Sequence, residues 1–203
     1  EVPRINLTKV NKQQILIDTS RTNIYQKKKK KVSGGLTTFT SGTSSITVTN
    51  NYATSPDGSQ NAMRMVATCG STSSDRAGLR NFLSMSAASA TLSFYRKSNT
   101  SSNQTIAFHF NGVTYTTVTL TNEWQRFTYT DTSATANNAG VEIRGTFTDT
   151  DVDVLLFGFQ MEQGSYATSY IPTENNPSGV TRCADVANNS GNAELFNDSE
   201  GVL

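Results

Sequence analysis

From about residue 36 to residue 163, short runs of apolar side chains alternate with clusters of turn-forming residues. Within each run apolar and polar residues take turns, which is the pattern of a β-strand with one buried face. The turn clusters recur about every ten residues, and the Asn-Gly pair in "FNGVTY" marks a hairpin. The pattern predicts an all-β fold, an antiparallel β-sandwich (jelly roll). The predicted strand segments are "LTTFT", "SITVTN", "AMRMVAT", "AGLRNFL", "ATLSFYRKS", "QTIAFHFN", "VTYTTVTL", "EWQRFTYT", "GVEIRGTF" and "VDVLLFGFQME".

The alternation also predicts which side chains face the core. In "TIAFHFN" three apolar residues share one face and His109 points the other way. The three are Ile106, Phe108 and Phe110. In "ATLSFYRK", Leu92 and Phe94 face inward, whereas Tyr95 faces outward. The segment 152–161 is apolar on both faces, so it should be a central strand that is covered on both sides.

Composition limits the class of protein. The chain has 203 residues and a mass of 22.0 kDa, which suits one domain with extended ends. A net charge of +1 together with ten Phe and seven Tyr excludes a disordered chain, and no apolar run is long enough for membrane insertion. Cys69 and Cys183 lie far apart without metal-ligand spacing, so we expect two unpaired thiols in a protein made in a reducing compartment.

The two ends of the chain lack the regular alternation of strands and turns that its middle shows. Residues 1–23 form an N-terminal strap with one strand-like run, "QQILIDT", and the sandwich is expected over 24–164. Residues 165–190 form a polar exit strap, and 191–203 ("AELFNDSEGVL" and its flank) look like the first strand of a further, truncated domain. Five consecutive lysines, 27–31, fit either a polyanion-binding patch or a solvated loop, and nucleic-acid binding is not expected from so local a run.

Three groups of residues resemble a known module: "VPRIN…ILIDTSRTNI", "SPDGSQNA" and "GFQMEQGSYATSYIPT…TRCADV". Together they are similar to the carbohydrate-binding-module-like jelly roll of bacteriophage tail and tail-fibre proteins. The resemblance implies a structural module of the virion, made in the host bacterial cytoplasm, that binds a host-surface polysaccharide or glycan. It also implies homotrimers, contacts with neighbouring tail subunits, and a laminin-G- or concanavalin-like domain beginning in 191–203. One departure is "IYQKKKKKVSGG", where the family has a segment ending in tryptophan.

Reaction chemistry is poorly supported, and the chain is not expected to be an enzyme. His109 is the only histidine, so a Ser-His-Asp or Cys-His site and a zinc site both lack partners. Asp149, Asp151 and Asp153 alternate in "TDTDVDV", which suits either calcium binding or a charged strand edge that discourages pairing. The resemblance allows a structural calcium, but no ligand set is readable, and no other cofactor is expected.

Sugar binding would use aromatic faces against ring C–H groups and polar side chains on the hydroxyls. By strand parity, the face turned away from the core offers four candidates: Tyr95, His109, Arg144 and Gln160. Arg80 and Trp124 are weaker candidates, since Trp124 fits a core position equally well. The alternative for each is an ordinary surface residue. Two other functions stay open beside receptor binding: an architectural spacer that binds no sugar, and an accessory domain of a virion-associated glycan-degrading enzyme.

Overall fold

The structure, a computed structural model, describes residues 5–7, 13–15, 20–24, 35–82, 88–110, 114–134, 138–173 and 179–184. These residues form fourteen strands: β1 (Ile5–Leu7), β2 (Gln13–Ile15), β3 (Arg21–Asn23), β4 (Thr37–Ser41), β5 (Ser44–Ala53), β6 (Ala62–Cys69), β7 (Arg76–Asn81), β8 (Ala88–Ser98), β9 (Gln104–Phe110), β10 (Thr114–Leu120), β11 (Gln125–Ala134), β12 (Ala139–Arg144), β13 (Asp151–Gln163) and β14 (Val180–Arg182). Ten of them make two five-stranded antiparallel sheets. Sheet I has the order β10-β9-β12-β7-β4, and sheet II has the order β11-β8-β13-β6-β5. The predicted all-β sandwich is confirmed.

The core between the two sheets follows the predicted alternation. Ile106, Phe108 and Phe110 in sheet I are fully buried, as are Leu92 and Phe94 in sheet II. The same inward faces contribute the rest of one continuous apolar cluster. Burying a large apolar side chain contributes about 1.5–3 kcal/mol, so this cluster stabilises the stacking of the two sheets.

Strand β13 is the centre of sheet II, as its two apolar faces predict. Its side chains from 152 to 157 are buried except for Asp153, which is half-buried. At Gly158 the backbone takes φ +66°, and the pairing with β8 shifts register between Phe157 and Gln160. Glycine suits this bulge because it accepts positive φ without a Cβ penalty. Beyond the bulge, Phe159 faces the core, whereas Gln160 faces outward.

The exit strap covers part of the outer side of sheet II. The Glu162 carboxylate accepts hydrogen bonds from the backbone amide (3.0 Å) and the hydroxyl (2.5 Å) of Thr168. Gln160 Oε1 accepts the amide of Ile171 (2.6 Å), and Arg126 Nη2 donates to the carbonyl of Thr168 (2.6 Å). These contacts hold the strap against β11 and β13, so this part of the outer side of sheet II is occupied by the protein's own chain.

The chain divides into two compact units. One unit, Thr22–Thr181, contains both sheets and the described part of the strap up to residue 173. Within it Asn23 is fully buried, and its Nδ2 donates to the carbonyl of Ile171 (2.8 Å). The other unit, Glu1–Arg21 with Arg182–Leu203, contains the antiparallel pair β1 and β2. The lysine run 27–31 and the further domain predicted from residue 191 lie outside the described residues.

Two simpler expectations concern the cysteines and membrane insertion. Cys69 and Cys183 are both free, which agrees with the prediction of two unpaired thiols. Nothing in the described part of the chain forms a helix that is long and apolar enough to cross a membrane.

Candidate functional site

The outer face of sheet I is the side that points away from the core, as the strap-contacting face of sheet II does on the other side of the sandwich. Register identifies its outward side chains, because residues directly opposite each other share a face. In one row across the sheet, Phe39 of β4 pairs with Gly78 of β7, and Gly78 is also opposite Glu142 of β12. In a second row, Gly140 of β12 lies between Arg80 of β7 and His109 of β9. Arg76 lies opposite Arg144. We call this set the outer face of sheet I: Phe39, Arg76, Gly78, Arg80, His109, Gly140, Glu142 and Arg144.

Two neighbouring strands place His109 and Glu142 side by side on this face. Their side chains are almost completely buried, and His109 Nδ1 lies 3.8 Å from Glu142 Oε2, which is too far for a hydrogen bond. Burial, with the positive charges of Arg80 and Arg76, lowers the pKa of His109 to about 4, so the imidazole is neutral at pH 7. Burial raises the pKa of Glu142, while Arg76, Arg144 and Arg80 act in the opposite direction.

Acid is expected to destabilise the domain through His109. Its folded-state pKa of about 4 lies below the ordinary 6.5, so the unfolded chain binds the proton first as the pH falls. The stabilisation by the neutral imidazole is fully present above pH 6.5 and is lost toward pH 4, about 2 kcal/mol between pH 7 and pH 5. Urea unfolding at the two pH values measures this loss. The H109Q variant keeps Glu142 but has no imidazole to protonate, so its stability should fall less between pH 7 and pH 5. An equal fall in the wild type and in H109Q would contradict this prediction.

An arginine stacked between two aromatic rings forms one end of the face. The Arg80 guanidinium lies 4.6 Å from the ring centroid of Phe39 and 5.1 Å from that of Phe82. Phe39 in turn meets the His109 ring edge-on, with centroids 5.7 Å apart. Phe39 is half-buried, whereas Phe82 is 58% exposed, an unusual position for a phenylalanine in a protein with a formed core.

The opposite end of the face carries a second arginine–phenylalanine pair. Arg144 lies 5.4 Å from the ring centroid of Phe147 and donates from Nε to the carbonyl of Ser73 (2.8 Å). Phe147 is exposed and follows Thr146, whose φ of +79° is rare for a β-branched residue. Such a conformation costs on the order of 1–3 kcal/mol and is concentrated at functional sites.

The structure does not bring the four predicted site residues together. His109 and Arg144 lie on the outer face of sheet I, whereas Tyr95 and Gln160 lie in sheet II. Tyr95 is half-buried with its ring 6.0 Å from that of Phe157. Gln160 is fully buried and hydrogen-bonded to the exit strap, so it holds that strap in place.

The sequence analysis did not select Phe39, Phe82 or Glu142 as sugar-binding residues, and it gave Arg80 only as a weaker candidate. Two signals were present in the sequence. Phe39 is the single aromatic residue among threonines in "LTTFT", and Arg80 alternates with the core residue Leu79 in "AGLRNFL". Their grouping depends on the register of β4, β7 and β12, which are not consecutive in the chain. Sequence alternation gives the side of a strand but not its neighbours.

The three alternating aspartates do not share a strand face. Strand β13 begins at Asp151, so Asp149 lies outside it, where its carboxylate accepts the amide of Thr105 (2.7 Å). Asp153 forms an ion pair with Arg64 (2.6 Å) inside sheet II, so the charged-edge interpretation was wrong. Within the described ranges, no group of three or more His, Cys, Asp or Glu side chains could hold a metal ion.

Glycoside hydrolysis requires two carboxyl groups that face each other across the scissile bond. Glu142 is the one acidic residue within the five strands of sheet I as the structure describes them. Its neighbour His109 is neutral at pH 7 and is not hydrogen-bonded to it. The described strands of sheet I therefore supply one carboxyl group and not the facing pair.

Comparison with known proteins gives structural similarity alone. No protein-family model and no curated protein matches the chain. A family 11 carbohydrate-binding module from Clostridium thermocellum, in complex with a β-1,3-1,4-mixed-linked tetrasaccharide, has a TM-score of 0.51 at 12% identity, covering 74% of this chain and 99% of that one. The CBM22-1 xylan-binding domain of Paenibacillus barcinonensis Xyn10C has a TM-score of 0.44 at 14% identity, covering 75% and 97%.

The enzymatically active domain of tailspike protein 4 from bacteriophage CBA120 also shows similarity. Its TM-score is 0.36 at 10% identity, and the match covers 62% of this chain and 18% of that one. At identities this low, similarity to solved structures shows the fold and no more. That fold is the antiparallel jelly-roll sandwich that this chain shares with carbohydrate-binding modules.

Proposed function

We propose that this chain is a non-catalytic carbohydrate-binding module that holds a polysaccharide on the outer face of sheet I. The observation that carries the proposal is the contrast between the two outer faces. The exit strap occupies the centre of sheet II through Gln160 and Glu162 of β13, whereas no described segment lies across the centre of sheet I, which presents aromatic and arginine side chains at both ends. The fold supports the proposal, since a family 11 carbohydrate-binding module has the same architecture.

The chemistry of this face suits a sugar ring. An exposed aromatic ring such as that of Phe82 can cover the C–H groups of a sugar, while arginine side chains donate to its hydroxyl oxygens. Gly78 and Gly140 lie beside the buried pair His109 and Glu142 and add no side chains to the middle of the face. A flat centre between aromatic ends leaves room for a chain of sugars along the strands.

The biological setting that the sequence resemblance implies is part of this proposal. In a phage tail or tail fibre, the polysaccharide would belong to the host cell surface, and the domain would act from the virion. A single shallow site of this kind binds weakly, and several copies in a homotrimer attached to tail subunits would raise the avidity. Light scattering of the full-length protein tests the homotrimer, and a monodisperse monomer would contradict it.

Removal of an exposed ring from the face is expected to weaken binding. F82A should lower the affinity for a bound polysaccharide about tenfold, because the ring is exposed and supplies stacking area. The measurement is a glycan array of bacterial surface polysaccharides, followed by isothermal titration with the polysaccharide that binds. Y52A is the matched control, since Tyr52 is also exposed with an arginine, Arg64, stacked on its ring, but lies in sheet II.

Three results would contradict the proposal in different ways. Silence of the wild-type protein across the array would favour the architectural spacer. Equal loss of binding in F82A and Y52A would place the site elsewhere or show a general loss of fold. Shortening of the bound polysaccharide by the purified domain would show catalysis and favour the glycan-degrading alternative.

A further inference from the structure

We propose that the polysaccharide on the outer face of sheet I is acidic, and that carboxylate groups on its sugar rings bind the arginines of this face. The inference rests on the proposed function and specifies its substrate class. Its basis is the distribution of charge between the two sheets together with the packing of the Arg80 guanidinium on two aromatic rings at one end of the face.

The two sheets differ in their charge. The five strands of sheet I carry three arginines and one glutamate, and their single histidine is neutral at pH 7. The five strands of sheet II carry four basic and four acidic side chains. Within the strands of the two sheets, the excess positive charge therefore belongs to sheet I. A positively charged surface attracts a negatively charged ligand.

Burial of the single acidic group strengthens this difference. Glu142 is 1% exposed, whereas Arg76, Arg80 and Arg144 are half-buried and reach the surface. The positive charges of all three arginines act on the Glu142 carboxyl from their positions around it. Glu142 therefore lies beneath the arginines, and a ligand that approaches from solvent meets the guanidinium groups first.

Polar atoms at the Phe39 end of the face lack hydrogen-bond partners among the described residues. They are Arg80 Nε, His109 Nδ1 and Glu142 Oε1. These three atoms are buried, so a ligand on the surface does not reach them. Arg80 as a whole is half-buried, so a ligand meets the part of its guanidinium group that is exposed. A sugar carboxylate offers that group two charged acceptor oxygens, whereas a neutral sugar offers hydroxyl oxygens alone.

The guanidinium of Arg80 is held in place for such a contact. It lies over the rings of Phe39 and Phe82, which fixes its plane, and a planar guanidinium fork matches the two oxygens of a carboxylate. The second group of positive charge, Arg76 with Arg144 opposite it, lies four residues away along β7, about 13 Å at the rise of an antiparallel strand. Two such points suit a polymer that repeats its charge.

A nucleic acid is the other common polyanion, and the face suits it less. Proteins that hold single strands stack successive bases on several exposed aromatic rings within a basic groove. Phe39 is half-buried, with Arg80 over its ring, so at this end of the face Phe82 offers the exposed ring. The observations therefore favour sugar carboxylates over phosphodiesters.

The test compares acidic polysaccharides with their own neutral forms. Polygalacturonate, alginate and hyaluronate are each titrated before and after chemical reduction of the carboxyl groups, with mixed-linked β-glucan as a neutral polymer and a twenty-nucleotide oligothymidine as the other polyanion. We expect at least one acidic polymer to bind at least about tenfold more tightly than its reduced form. We also expect this binding to weaken as NaCl rises from 50 to 500 mM.

Variants assign the effect to the face. R80Q should weaken binding to the acidic polymer about tenfold, and R80K, which keeps the charge but not the planar fork, should fall between R80Q and the wild type. K97Q removes one positive charge from sheet II, where Lys97 also lies beside an aromatic ring, Trp124 at 5.8 Å, and it should bind like the wild type. Urea midpoints of the three variants confirm that each is folded.

The outcomes separate this inference from the proposed function. Equal binding of acidic and reduced polymers, or binding to β-glucan alone, would overturn the acidic ligand and leave carbohydrate binding intact. No binding to any polysaccharide would overturn both. Oligothymidine binding as tight as that of the acidic polymers, or equal effects of R80Q and K97Q, would also overturn the inference.

Discussion

Replacement of Glu162 by alanine is expected to lower the free energy of unfolding by about 4 kcal/mol. The carboxylate is fully buried between sheet II and the exit strap and accepts three hydrogen bonds. Two donors belong to Thr168 and one to Gln160. Alanine would leave the Thr168 amide buried without this acceptor, and it would leave Gln160 Nε2 and the Thr168 hydroxyl only their longer contacts with backbone carbonyls. The cost of such poorly satisfied groups exceeds the value of the bonds themselves. Urea unfolding followed by fluorescence measures the loss.

The control for this prediction removes a carboxylate from the surface. Glu123 lies exposed in the turn before β11, so E123A should change the free energy of unfolding by less than about 0.5 kcal/mol. E162Q should fall between the two, because the amide keeps one acceptor and nearly the same volume. A loss below about 1 kcal/mol in E162A would mean that the strap contributes little to stability, and the account of sheet II as a covered face would then fail.

The strap contacts give a physical reason for the sequence motif "GFQMEQGSYATSYIPT". Gly158 forms the bulge in β13, and the bulge reverses the alternation of the residues that follow it. Phe159 therefore faces the core, and Gln160 and Glu162 face outward. Those two side chains bind the backbone of Thr168 and Ile171 as the chain returns across the sheet. The most specific motif in the sequence thus fastens a strap, while the proposed binding face is on the opposite sheet and has no motif of its own.

The sequence predicted what depends on local alternation. The inward face of β9 and the central position of β13 follow from which side chains share a strand face, and both are confirmed. Parity also gives His109 as a residue turned away from the core, whereas Gln160 faces outward because the bulge at Gly158 shifts the alternation. Parity could not show that the strap covers Gln160, or that Arg80 and Phe39 pack beside His109. Burial from a distant segment depends on tertiary contacts that alternation does not encode.

The same limit explains why the arginines of sheet I were not grouped from the sequence. Arg76, Arg80 and Arg144 come from β7 and β12, which are separated by four other strands in the chain and are neighbours only in the sheet. In the sequence their charges are balanced by aspartates and glutamates elsewhere, and the net charge is +1. The charge of one face becomes visible only when strand order is known.

Replacement of Phe108 by alanine is expected to destabilise the domain by about 4 kcal/mol. Phe108 belongs to sheet I and is fully buried, and its ring lies 4.5 Å from that of Phe127 and 4.7 Å from that of Tyr129, both in sheet II. Alanine would remove contacts that join the two sheets and would leave a cavity that the surrounding strands can fill only in part. Urea unfolding, with the slope of the transition checked against the wild type, measures the change.

Comparison with F82A separates the role of the core from the role of the face. Both substitutions remove one phenyl ring, yet Phe82 is 58% exposed, so F82A should cost less than about 1 kcal/mol of stability, chiefly through its contact with Arg80. The proposed binding site requires the reverse order for affinity, because F82A removes a ring that would touch the sugar, whereas the folded fraction of F108A keeps the outer face unchanged. If F108A weakened polysaccharide binding as much as F82A under conditions where both proteins are folded, the outer face of sheet I would not be an independent binding surface.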